Sequence, residues 1–411
     1  MMKIKLMVAI VATMMTATIM SAQDKKIFTL EDLNFGGTNY ANLRPQNLRL
    51  TWWGEKLIET DVEECRVIDT KTGKKTRLFT LEDINNWTGS NKERYVRHLM
   101  NARFPYPDKP IIALGNRKAF ILLDFKTKQI IWQDSVSGQT ANDWNPTSRA
   151  TAWIEDNQLY VTDTEGNKHQ LSTDGSHEIV YGQSVHRNEF GINKGTFWSP
   201  NGLRLAFYRM DQSMVTDYPQ VDIFPRSASY EPDKYPMAGM TSHKVTVGVY
   251  DLKTDKTIYL QAGDPTDRYF TNIAWSPDSK TIYMFELNRK QNDCRLVSYD
   301  AASGKKTAEL YRETSDKYVE PQTPIQFLPW DNTKFIMQSQ KDGYNHLYLF
   351  SKSGKELKQI TNGKWVVLDV LGFNQKDKTV IIAGENGSAL LCPLRTISLC
   401  QYPNTNYGYI A

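Results

Sequence analysis

Cysteine is scarce, with Cys65, Cys294, Cys392 and Cys400 the only four in 411 residues. No two of them stand two residues apart and no His-Glu-x-x-His segment occurs, so no metal site and no cofactor is expected. Four scattered thiols are too few for a disulfide scaffold, and their spacing does not say whether any pair forms. Net charge is equally modest at +4, of which Lys3 and Lys5 supply two, leaving +2 for the remainder. That balance excludes the basic footprint of a nucleic-acid-binding protein. Beyond the first 22 residues no run is long and apolar enough to cross a bilayer. A sustained helical period is missing too: no stretch of twelve or more residues keeps its apolar side chains on one helical face, so a helical fold is not expected.

What is present begins with a leader. Lys3 and Lys5 precede an apolar run from Leu6 to Met20, and Ser21-Ala22 offers a small-residue cleavage site. This pattern predicts a signal peptide over residues 1–22, a mature chain starting near Gln23, and export to the periplasm or the exterior. An uncleaved anchor is the alternative. Residues 23–50 form a lead-in, with a short amphipathic turn or helix at Phe28 to Leu33 and a Gly36-Gly37 breaker.

From residue 51 to 391 the chain repeats one kind of hairpin. An apolar strand ends in Asp or Ser and is followed by Lys, Thr, Ser or Gly, with the acidic or hydroxyl position at Asp69, Asp124, Asp163, Asp251, Asp300 and Ser351. The gaps are 55, 39, 88, 49 and 51 residues, and most suit a four-stranded propeller blade. A second punctuation recurs at Trp198-Ser199-Pro200-Asn201-Gly202 and Trp275-Ser276-Pro277-Asp278-Ser279, more loosely at Trp144-Asn145-Pro146 and Leu328-Pro329-Trp330. Proline fixes φ and Asn-Gly accepts positive φ, so the chain reverses there. Aromatic residues at 11% suit the same architecture, because flat rings pack well on pleated sheets. The fold class expected is all-β, a propeller of four-stranded antiparallel blades.

The gap of 88 contains residues 211–244, where Pro219, Pro225, Pro232 and Pro236 interrupt regular strands. This reads as an insertion within one blade. A seventh repeat begins at Trp365 to Val370 and Thr379 to Ala383, but residues 392–411 carry neither the alternation nor the hairpin motif. The tail is either a divergent closing strand or the product of a truncated or frame-altered gene.

The segment from Gly182 to Leu252 carries Glu189-Phe190, Trp198-Ser199-Pro200-Asn201-Gly202, Tyr235-Pro236-Met237-Ala238-Gly239 and Val245 to Leu252. It resembles the N-terminal domain of the dipeptidyl peptidase IV family of serine peptidases. The resemblance extends more loosely from about Phe28 to Leu391. It implies an eight-bladed propeller, of which about six to seven blades are present, capping an α/β-hydrolase domain that releases short N-terminal units after proline. It also implies that acidic side chains of the propeller hold the substrate's free α-amine, at His186-Arg187-Asn188-Glu189-Phe190 when aligned through Trp-Ser-Pro. Dipeptide-releasing members tend to carry adjacent glutamates there, whereas Arg187 and Asn188 precede one glutamate here, a pattern more similar to bacterial prolyl tripeptidyl peptidases. Arg117 lies in roughly the blade from which a family arginine contacts substrate carbonyls. The candidate substrate-binding residues are therefore Glu189, Arg187, Asn188 and Arg117, and the partners implied are peptides with a free N-terminus and a nearby proline, a hydrolase domain, or a second copy of the chain.

A carboxylate about 4 Å from an ammonium gains roughly 4 kcal/mol at an effective dielectric near 20, before desolvation is subtracted. The competing reading is a surface Glu189 paired with Arg187 or Lys194, worth under about 1 kcal/mol.

The resemblance stops short of the chemistry. A hydrolase of this kind needs a Gly-x-Ser-x-Gly elbow, but the only glycines four apart are Gly191 and Gly195, with Asn193 between them. No strand-helix alternation or late Asp and His completes a triad, and His98, His169, His177, His186, His243 and His346 read as structural or exposed. This chain is not expected to hydrolyse peptides by itself. Two functions follow: the substrate-gating propeller of a prolyl peptidase, or a non-catalytic exported propeller that binds peptides or a protein.

Overall fold

The computed structural model describes residues 27–43, 49–89, 94–115, 118–135, 138–384 and 389–393. The segment 1–22 read as a signal peptide, Arg117 and most of the tail lie outside the described residues. No described helix is long and apolar enough to cross a membrane. The described residues 27–43 belong to a smaller unit with two short helices, Leu30–Leu33 and Thr38–Leu43. The first is closed by a capping box in which Thr29 and Asp32 bond each other's backbone N–H.

The larger unit is the expected β-propeller. Among the described residues, seven antiparallel sheets of three or more strands follow one another along residues 49–80, 111–135, 140–170, 179–259, 268–314, 326–359 and 367–393; four have four strands, one has five and two have three. These sheets, blades 1 to 7 below, are joined by six apolar cores, each shared between consecutive blades. Within the strand Arg204–Asp211, Leu205 and Phe207 enter the core shared with blade 3, whereas Ala206 and Tyr208 enter the core shared with blade 5. Strand alternation thus feeds two cores instead of separating core from solvent.

The repeated hairpin has a common physical cause. The Asp69 carboxylate accepts the backbone N–H of Lys71 and Thr72 at 3.0 and 2.8 Å, and the same contacts recur from Asp124 to Lys126 and Thr127 and from Asp251 to Lys253 and Thr254. Each aspartate closes its own turn, as Asx turns do. The Trp-Ser-Pro elements fasten blades together: Trp198 Nε1 donates to the Asp143 carbonyl of blade 3 at 2.8 Å, and Trp275 Nε1 to the Phe197 carbonyl of blade 4 at 2.9 Å. Their serines cap the turn, with Ser199 Oγ accepting from the Arg204 N–H and Ser276 Oγ from the Thr281 N–H.

In blade 4 the chain leaves the sheet between Arg204–Asp211 and its neighbour Lys244–Asp251. Residues 217–234 run out and back as two short ladders, Asp217–Tyr218 with Asp233–Lys234 and Val221–Asp222 with Ser229–Tyr230. Lys234 ties the base of this arm, reaching Asp217 at 3.0 Å and Glu178 at 3.3 Å. Ile223 and Phe224 stand exposed near its turn. Cys65 and Cys294 are buried and unpaired in blades 1 and 5.

Candidate functional site

Two separate stretches, Ile179–Tyr181 and Thr196–Trp198, pair with the same strand of blade 4. Residues 182–195 between them form an excursion closed on one residue: the Gly182 N–H donates to the Tyr208 carbonyl and the Tyr208 N–H donates to the Gly195 carbonyl, both at 2.9 Å. Glycine is required at the return, because a Cβ on Gly195 would stand 2.0 Å from the Gln183 carbonyl oxygen.

The apex is left-handed. His186, Arg187 and Asn188 have φ of 53°, 57° and 62°, and Phe190 follows at 58°. Left-handed backbone costs roughly 1–2 kcal/mol per L-residue, so four such positions persist only if the surroundings hold them. Burial does so on both sides. Val185 and Ile192 enter the core between blades 4 and 5, and Phe190 enters the core between blades 5 and 6. The Tyr269 ring lies 5.0 Å from both the His186 and the Phe190 rings, edge-on to the former. Behind the turn, Gly191 packs so tightly that a Cβ would stand 2.0 Å from the Gln322 carbonyl oxygen. With both flanks buried, Arg187, Asn188 and Glu189 are left exposed together.

Their surroundings differ. Arg187 Nη1 donates to Asp233 Oδ2 at 2.8 Å and its guanidinium lies 5.1 Å from the Tyr235 ring, so it is bound to the arm. Lys194 pairs with Asp143 at 3.1 Å. Asn188 Oδ1 accepts from the Ser184 hydroxyl. The Glu189 carboxylate has no hydrogen bond or ion pair among the described residues, so neither cation considered as its surface partner is engaged with it. Burial pushes the Tyr269 hydroxyl up, the positive charge of Arg289 opposes this, and Glu189 is among the negative charges that add to it.

Beneath the apex lie two imidazoles that sequence reading took as unremarkable. His186 is 2% exposed and His243 5%, and His186 Nδ1 lies 2.7 Å from His243 Nε2. The Phe270 N–H donates to His186 Nε2 at 3.2 Å, so that nitrogen carries no proton and Nδ1 must be the donor to His243. Burial, then the charge of its neighbour, holds His186 well below the ordinary imidazole range. Burial together with Arg187 and Arg289 brings His243 down to about 4. The only sequence signal for this pair is a histidine at the head of three polar residues between Val185 and Phe190.

Comparison with known proteins decides the family. Residues 114–394 match the model for the dipeptidyl peptidase IV N-terminal region. The chain belongs to this family. A solved Bacteroides ovatus protein, described as a candidate dipeptidyl aminopeptidase IV, is 46% identical, with a TM-score of 0.79 over 88% of this chain and 53% of its own. The Porphyromonas gingivalis dipeptidyl peptidase 4 shares the fold at 20% identity and a TM-score of 0.70, covering 90% of this chain and 55% of its own. A Phaeosphaeria nodorum protein named probable dipeptidyl-aminopeptidase B is 28% identical over 258 residues, which is 55% of this chain and 28% of that protein. The chain therefore spans about half the length of these solved relatives and a smaller share of the curated one. Within the dipeptidyl peptidase IV N-terminal region, the match covers the Glu189 excursion and the whole arm. Of the candidate residues, the excursion brings Arg187, Asn188 and Glu189 together, while Arg117 lies outside the described residues.

Proposed function

We propose that this propeller receives the N-terminal end of peptides and holds the free α-amine on Glu189, acting as the recognition and gating part of an exported prolyl di- or tripeptidyl serine peptidase. The observation that carries this reading is the state of Glu189: an exposed carboxylate with no partner among the described residues, at the apex of a left-handed turn whose flanks are buried. Its neighbouring cations are committed to Asp233 and Asp143, so an incoming ammonium does not have to displace them. The proline preference and the export rest on the family and on the leader-like first 22 residues. Cleavage would be done by a hydrolase domain, since the sequence contains no Gly-x-Ser-x-Gly elbow. Arg187 and Asn188 preceding the single glutamate favour tripeptide release.

The test is calorimetric binding of an Ala-Pro-Ala peptide and its N-acetylated form to the full chain. A charge-assisted hydrogen bond contributes about 1.5–3 kcal/mol, so Glu189→Gln is expected to weaken the free peptide roughly 10- to 100-fold and leave the acetylated one unchanged. Equal losses for both forms would reject the amine role. A second reading, a non-catalytic exported propeller that binds peptides or a protein partner, is favoured by Ile223 and Phe224 standing exposed on the arm.

A further inference from the structure

We propose that His186 and His243 are positioning residues for Glu189: their hydrogen-bonded pair clamps the left-handed turn that aims the carboxylate at the peptide amine. The inference rests on the amine-binding reading above and adds the device that sets the direction of the acid.

A left-handed turn of non-glycine residues does not persist by local preference, so something must hold each end. At the far end Phe190 is anchored by ordinary apolar burial. At the near end the anchor is polar and directional. A relay runs from the Phe270 N–H of blade 5, through His186, to His243 at the returning foot of the arm, with each imidazole accepting at Nε2. Because His186 has both ring nitrogens engaged, its ring cannot rotate without breaking one of two buried hydrogen bonds. The turn is thereby referenced to two different elements, the first strand of blade 5 and the segment preceding Lys244–Asp251.

The groups facing the pair are fixed as well. Tyr269 stands edge-on to His186, Arg187 is held by Asp233, and Arg289 is held by Asp267 at 2.8 Å and by the Met240 carbonyl. Both arginines oppose protonation of His243, as burial does. The relay needs neutral rings: a proton on His186 Nε2 would face the Phe270 N–H, and one on His243 Nε2 would face the donating Nδ1 of His186. Free-amine selectivity should therefore fall in acid as the clamp charges.

The experiment compares His243→Leu, which removes the acceptor, with His243→Gln, which can offer a carbonyl oxygen in its place. Two quantities are read on the full chain: amide exchange of the segment 186–192, and the ratio of Ala-Pro-Ala to N-acetyl-Ala-Pro-Ala affinity between pH 7 and 4. His243→Leu is expected to speed exchange about tenfold and to lower the affinity ratio about tenfold at pH 7, with His243→Gln restoring both. The Gln variant's ratio should also fall less between pH 7 and 4 than the native protein's does. Should the Leu variant not fold, the Gln variant's pH profile alone decides, and a profile that still tracks the native one overturns the clamp. Unchanged exchange in a folded His243→Leu protein overturns it too. Exchange that responds while Glu189→Gln is silent would instead reject the amine role and leave the clamp standing.

Discussion

Arg187 and Asp233 meet at 2.8 Å, joining the exposed apex of the excursion to the returning limb of the arm. The two side chains are 46% and 37% exposed, so the pair contributes at most about 1 kcal/mol to global stability. Stacking of the guanidinium on Tyr235 adds a comparable amount. Its effect should be local. Arg187→Ala and Asp233→Ala are each expected to leave the melting temperature nearly unchanged while hastening proteolytic cutting within residues 211–244. Equal cutting in native and variant proteins would show that the arm is held without the Arg187–Asp233 pair.

Close approach of backbone to backbone makes a sharper demand at Gly195 than at the glycines of the outer hairpins. A Cβ there would lie 2.0 Å from the Gln183 carbonyl, whereas one at Gly73, in the first repeated hairpin, would meet nothing within 4 Å. Gly73 has φ of +71°, so alanine there carries only the left-handed penalty of about 1 kcal/mol. Gly195→Ala must displace one limb of the excursion and is expected to cost about 1–3 kcal/mol more than Gly73→Ala, read by denaturant unfolding. Similar losses in the two variants would contradict the closed excursion.

These positions also show where sequence reading reaches and where it stops. The hairpin aspartates were legible because an Asx turn is made by residues two and three apart, as Asp69 does with Lys71 and Thr72. The Trp-Ser-Pro punctuation was legible as a turn, but its Trp bond to the previous blade was not, since Trp275 and Phe197 are far apart in sequence. In the sequence Leu205 and Phe207 alternate with Arg204 and Ala206 as in a strand; that Ala206 is as buried as Leu205 and Phe207 follows only from blades lying on both sides. Glu189 was placed by resemblance alone. Nothing in the order of residues reveals that one strand pairs on either side of a fourteen-residue excursion, or that His186 finds His243.

The histidine pair should make stability fall in mild acid. An imidazole whose folded pKa is depressed is protonated first in the unfolded chain, so its contribution is complete above the unfolded value near 6.5. For His243 it is lost progressively as pH drops toward about 4. One proton taken up on unfolding corresponds to about 1.4 kcal/mol per pH unit, so this residue alone accounts for on the order of 3 kcal/mol across that window. Unfolding free energies measured from pH 7 to 4 are expected to fall more steeply for the native protein than for His243→Gln. Below this range a separate decline sets in: the bond from Arg312, with Arg295 assisting, brings Asp293 down to about 2, so its contribution is lost only as pH falls from about 4 toward 2. Parallel native and variant curves between pH 6.5 and 4 would mean that His243 titrates as an exposed imidazole does.

The tryptophans of the blade turns offer a contrast within one architecture. Trp275 and Trp144 open a close and a loose copy of the same punctuation, and both pack their rings between blades. Trp275 Nε1 donates to the Phe197 carbonyl, but Trp144 Nε1 is buried without a hydrogen-bond partner. Phenylalanine keeps much of the ring at either site and removes only the donor and part of the volume. At position 275 it removes the hydrogen bond between blades, which costs about 0.5–1.5 kcal/mol in addition to the lost packing. At position 144 it deletes a buried donor that had no acceptor, an effect near zero or slightly stabilising that offsets the lost volume. Trp275→Phe is therefore expected to lower the midpoint of urea unfolding clearly and Trp144→Phe much less, although the two substitutions are chemically identical. Equal shifts would assign the recurrence of tryptophan at these turns to ring packing, and the hydrogen bond between blades would then contribute nothing to it.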